Sequence, residues 1–137
     1  MKPLGYFALL LLMCCLGCAK SGDVVPNVGV SFQAALSDPR LNALKSTGGA
    51  VVVDGYGVAG IIIYRSAYGY VAYDRCSSYE PQNRCAITVD NPSLTATDPC
   101  SGSKFSLTDG TPVKAPATRS LKQYSVTATQ FEIYVSN

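Results

Sequence analysis

Asp98-Pro99-Cys100-Ser101-Gly102-Ser103-Lys104-Phe105 is the stretch on which the fold is decided. Asp-Pro opens a turn and Gly-Ser closes it, so that Lys104 and Phe105 start a strand. Downstream the chain reads Leu107-Thr108-Asp109-Gly110-Thr111-Pro112-Val113-Lys114-Ala115-Pro116-Ala117, followed by Leu121 and Tyr124. Upstream lies a second irregular segment, Arg75-Cys76-Ser77-Ser78-Tyr79-Glu80-Pro81-Gln82-Asn83-Arg84-Cys85. Each contains cysteine and serine side chains, and each interrupts an otherwise regular run of strands.

The surrounding pattern is that of an all-β domain. Residues 58–65 (VAGIIIYR) form the strongest apolar run, β-branched at its centre. Further strands are expected at 28–32, 50–54, 70–73, 85–89, 94–97, 104–107, 121–127 and 131–135. Asp38-Pro39 is an N-cap followed by proline at the first helical position, and Leu41 and Leu44 continue at helical spacing, which predicts a short helix at 39–45. No repeat is present. Short strands with turns between them imply an antiparallel sandwich or barrel.

The chain has 137 residues, with 11 Lys+Arg, 9 Asp+Glu, 6 Cys and no His. One domain fits that length. A net charge of +2 offers no electrostatic case for a nucleic-acid partner. The missing histidine excludes Ser-His-Asp and Cys-His catalysis, His-ligated zinc and His-ligated haem. Residues 1–17 read as a secretory signal, with Lys2 ahead of an apolar run too short to span a bilayer. Cys15-Leu16-Gly17-Cys18-Ala19 resembles a bacterial lipobox, although Cys15 stands where leucine is preferred. The resemblance implies lipidation of Cys18, residues 18–27 as a tether, a folded domain over 28–137, and a bacterial membrane lipoprotein on the periplasmic side or at the outer membrane. In such an oxidising compartment Cys76, Cys85 and Cys100 form an odd set, leaving at least one thiol without an intramolecular partner.

The two irregular segments, with the stretch from Leu107 to Tyr124, resemble the Rieske iron–sulfur family. Its first box is Cys-x-His, and its second is Cys-Pro-x-His-Gly-Ser-x-Phe, followed by a Gly, a Pro-rich turn, Pro-Ala and a Leu with a Tyr three residues on. The resemblance runs over about 28–137 and implies a Rieske-type antiparallel β-sandwich or barrel with two loops at one tip. The four ligand positions fall on Cys76, Ser78, Asp98 and Ser101. A Rieske centre takes two thiolates and two imidazoles, so these positions make a degenerate set, and no cofactor or metal is expected. The resemblance also implies a loop-to-loop disulfide, Cys85–Cys100 in preference to Cys76–Cys100.

Other residues invite sharper readings. Cys76, beside Arg75, reads either as a reactive thiol at an exposed loop tip or as a relic of the ligand set. Asp98 and Glu80 could be paired carboxylates, but nothing fixes their separation. Tyr64, Tyr68, Tyr70 and Tyr73 read as cross-strand packing or as a binding surface. Gly55 to Gly60 lacks the helix that a dinucleotide fingerprint needs. The expectation is a non-catalytic, cluster-less Rieske-like lipoprotein acting as a binding or structural module, its protein partner unknown. The alternatives are a [2Fe–2S] electron-transfer ferredoxin component and a thiol–disulfide module using Cys76, Cys85 and Cys100.

Overall fold

The computed structural model describes residues 24–137. The signal at 1–17, Cys18 and most of the tether therefore lie outside the described residues. The strands are β1 (Ser31–Ala35), β2 (Ala50–Val53), β3 (Ile61–Ser66), β4 (Gly69–Asp74), β5 (Thr88–Val89), β6 (Thr95–Thr97), β7 (Lys104–Ser106), β8 (Pro112–Lys114), β9 (Gln123–Ala128) and β10 (Glu132–Ser136). They make a six-stranded sheet in the order β1-β10-β9-β4-β3-β2 and a four-stranded sheet in the order β5-β6-β7-β8. All the ladders in both sheets are antiparallel, and the all-β expectation holds. Among the described residues no helix is long and apolar enough to cross a membrane.

β3 explains how the sheets stack. Side chains on a strand alternate between faces, and here both faces are covered. Ile61 and Ile63 enter one core with Phe32, Leu41, Leu44, Ala72, Ile133 and Val135. Ile62 and Tyr64 enter a second core with Tyr73, Ile87, Ala96, Phe105 and Leu107, between the large sheet and the small one. A strand buried on both sides reads as a continuous apolar run, as residues 61–64 do.

Most differences from the expected elements have visible causes. The helix at Pro39–Lys45 is a 3₁₀ helix, with Asp38 accepting from the Arg40 amide as its cap. The first strand begins at Ser31 rather than at 28, because Asn137 takes the local backbone: its Oδ1 accepts from the Val30 amide and its Nδ2 donates to the Val28 carbonyl. β3 begins at Ile61 rather than at 58, because the Val58 and Ala59 amides donate to the Asp74 carboxylate. The strand expected at 85–89 shrinks to Thr88–Val89, since Cys85 is bridged and Ala86 only pairs singly with Cys76. β8 was not expected at all.

Candidate functional site

The first loop leaves β4 at Asp74 and is tied at its base. The Ser77 amide donates to the Cys85 carbonyl and the Ile87 amide to the Arg75 carbonyl, both at 2.8 Å. Beneath it, the Asp74 carboxylate accepts from the amides of Val58, Ala59 and Cys76 and from the Tyr124 hydroxyl, the last at 2.6 Å. Burial, with the bond to Asp74 adding to it, raises the Tyr124 hydroxyl above its ordinary pKa. Gly57 closes over this group at φ +64; a Cβ there would collide with the Asp74 carboxylate and the Tyr124 hydroxyl. Asp74, Tyr124 and Gly57 thus set the entry angle of the loop. The sequence reading missed Asp74, whose only signal was a carboxylate ending an apolar strand.

The second loop is folded around Asp98. Its carboxylate is fully buried and accepts from Ser77 Oγ at 2.7 Å, Ser101 Oγ at 2.7 Å and the Cys100 amide at 2.8 Å. Burial alone would raise the Asp98 pKa, but the hydrogen bonds from Ser101, Ser77 and the backbone outweigh it and hold the group below the ordinary carboxylate value. The Asp98 amide donates to the Ser103 carbonyl and the Gly102 amide to the Asp98 carbonyl. Gly102 sits at φ +76, which favours glycine. Ser103 Oγ then accepts from the Ala117 amide, fastening the segment that contains the cis Ala115-Pro116 bond.

The two loops meet. Cys85 and Cys100 form a disulfide with Cα atoms 6.3 Å apart, as expected. The Ser77–Asp98 hydrogen bond makes the second link. A cleft of about 310 Å³ opens over the bridge, lined by Tyr79, Glu80, Asn83, Asp98, Ser101 and Pro116 beside the two cysteines. Glu80 and Arg84 flank its 3₁₀ turn in the left-handed region, at φ 50 and 51. Such geometry in non-glycine residues marks strain held by the surroundings.

Of the ligand positions, Asp98 and Ser101 meet, while Cys76 and Ser78 turn to other partners. Cys76, which one of its two readings put at an exposed tip, is fully buried, with its thiol against the Pro81 carbonyl at 3.5 Å and the Ser77 carbonyl at 3.7 Å. Burial, with the negative charge of Asp74 and Asp98, pushes that thiol up to about 11, against a weaker opposing effect of Arg84. This corrects the reactive-thiol reading: a thiol so placed is inert at neutral pH. Ser78 Oγ donates to the Arg119 carbonyl at 2.6 Å. Ser101 serves Asp98, and Asp98 serves the loop. Glu80 lines the same cleft as Asp98, but it accepts from Asn83 Nδ2, so the two carboxylates do not act as a pair. The tyrosines divide: Tyr64 and Tyr73 are core, Tyr70 is half-buried under the Arg65 guanidinium, and Tyr68 is 97% exposed in the β3–β4 turn.

No family model and no curated protein match the sequence. Solved structures do. One is a chain of the complex of reduced oxygenase and oxidised ferredoxin in carbazole 1,9a-dioxygenase, with TM-score 0.52 and 21% identity over 78% of this chain and 93% of that one. Another is the plasma membrane Rieske protein PetC3 of the cyanobacterium Synechocystis PCC 6803, with TM-score 0.53 and 19% identity over 81% of this chain and all of that one. A Rieske centre on this backbone fails on donor chemistry. Of the four positions, one is a thiol, none is an imidazole, and both serines are committed to other partners. An all-cysteine cluster needs four thiolates, and the described domain has three cysteines, two of them bridged. Two loops pinned at one tip of an antiparallel β base, together with these likenesses, make this domain a Rieske-type fold.

Proposed function

We propose that this chain is a membrane-tethered, cluster-less Rieske-fold domain that acts as a non-catalytic binding or structural module. Cys18 carries its lipid, and the domain faces the periplasm or sits at the outer membrane. The carrying observation is the hydrogen-bonded Asp98. A ligand position has become the centre of a loop brace, with Ser77 and Ser101 closing on it and the disulfide beside it. The tip is thereby rigid without iron, and its outer rim, residues 79–84, is free to meet a partner.

Electron transfer is the second reading. The names of the similar structures, a ferredoxin complex and a Rieske protein, favour it over a binding module. The residues at the ligand positions weigh against it, and we give them precedence because no change of register supplies an imidazole. The thiol–disulfide reading loses Cys76 to burial and keeps only the Cys85–Cys100 pair.

The test of the module reading is photo-crosslinking in whole cells. A crosslinking residue at Glu80 or Gln82 should capture a defined protein that the same residue at Phe131, an exposed site outside the tip, does not. Absence of capture at the tip, or equal capture at both places, would reject it.

A further inference from the structure

We infer that, once its disulfide is reduced, the tip binds one divalent cation of the zinc class through Cys85, Cys100 and Asp98. The ligand atoms of these three residues lie within 4.8 Å of one another. Two thiolates on one zinc ion stand about 3.8 Å apart at a Zn–S distance of about 2.3 Å. Cysteines with Cα atoms 6.3 Å apart reach that separation by side-chain rotation, with no movement of the backbone.

Three further features point to a cation. Asp98 is a buried anion whose hydrogen bonds come from hydroxyls and backbone amides rather than from a basic side chain. Buried charge is ordinarily compensated by a counter-charge or a metal. The Ser101 hydroxyl stands 2.9 Å from Ser103 Oγ, so it can pass its hydrogen bond there and free a carboxylate lone pair for the ion. Finally, the cleft over the bridge leaves room for water in a fourth position, and Cys100 is exposed at its edge. Two thiolates and one carboxylate select a borderline cation over magnesium or calcium, which take oxygen ligands. Cys76 takes no part, because its thiol is buried against the Ser77 and Pro81 carbonyls.

The chemistry balances with a dithiol reductant. Two electrons and two protons pass to the Cys85–Cys100 bond, giving two thiols and the disulfide of the reductant. Binding of the ion then releases the two thiol protons to solvent. The tip would exchange one brace, the disulfide, for another, a metal thiolate. The site is distinct from an iron–sulfur cluster: it holds one ion and uses both cysteines of the bridge.

Anaerobic titration of the full chain carrying Cys14→Ser, Cys15→Ser and Cys18→Ser with Co(II), before and after treatment with a phosphine reductant, tests this. The reduced chain should keep its β-sheet circular dichroism and take up one Co(II), with thiolate-to-cobalt absorption in the near ultraviolet and tetrahedral bands in the visible. Zn(II) should displace the cobalt. The oxidised chain should show neither absorption. Asp98→Asn should weaken binding by about tenfold or more, Cys100→Ser should abolish the thiolate band, and Cys76→Ser should leave it unchanged. A reduced parent chain with no thiolate band, or with its β-sheet signal lost before cobalt is added, would overturn the proposal. So would a band that survives Cys100→Ser, an affinity unmoved by Asp98→Asn, or a band lost in Cys76→Ser.

Discussion

Asp98 shows how one buried carboxylate can organise a loop. As an ionised carboxylate it fixes the hydroxyls of Ser77 and Ser101 and the amide of Cys100, and so spans both loops. Its folded pKa lies below the ordinary value. The stability it contributes is therefore fully present above the unfolded pKa near ~3.9 and is lost as pH falls through the lower, folded value. Acid unfolding of the wild type should steepen below about pH 4, and Asp98→Asn should flatten that limb while lowering stability at neutral pH. Circular dichroism against pH reads both; an unchanged acid limb would mean that Asp98 is not the group responsible. Tyr73 is the opposite case. Its hydroxyl is the one buried side-chain polar atom among the described residues with no partner, and burial, with Asp109 nearby, pushes it up to about 12. Tyr73→Phe removes an unsatisfied group and keeps the ring, so chemical denaturation should find the variant as stable as the wild type or more stable by about 1 kcal/mol. The sequence displayed the four ligand positions but not what their side chains do. Cys76 is buried by contacts with Pro81, and Ser78 is turned to Arg119, 41 positions away. Neither partner could be read from local pattern.

Among the elements, β3 is the most completely buried strand, with five of its six residues buried. Ile62→Ala opens a cavity in a fully buried position and should lower stability by about 2–5 kcal/mol. Val52→Ala, on the neighbouring β2 and 42% exposed, should change it by no more than about 0.5 kcal/mol. Urea unfolding of the two variants separates them: Val52 and Ile62 are cross-strand partners on one face, so similar losses would contradict the difference in their burial. The disulfide closes a 15-residue separation, and reducing it should remove about 3 kcal/mol. Local pattern sufficed for elements with a clean apolar period. The strands at the centre of the large sheet and the helix at 39–45 were legible for that reason. It failed where long-range polar groups take over the backbone, as Asn137 does before β1 and Asp74 does before β3. β8 was hidden because its three residues begin with Pro112, lie in a turn-rich segment and pair on one side only, with β7.

For the whole molecule, the fold rests on apolar packing between and beside the two sheets. Both cores are built from apolar side chains of the two sheets and need no metal, and the tip is held by the Asp98 group and the disulfide. In the proposed reading, attachment to the membrane rests on Cys18 alone. Cys18→Ser should abolish labelling by a fatty-acid analogue and move the protein from the membrane to the soluble fraction, and unchanged labelling would remove the lipoprotein reading. The measurement that separates a cluster-less domain from an electron carrier is the iron content and visible absorption of the full chain, purified without oxygen from iron-replete cells. A colourless protein without stoichiometric iron is the expected result. About two irons per chain, with visible absorption that bleaches on reduction, would contradict it.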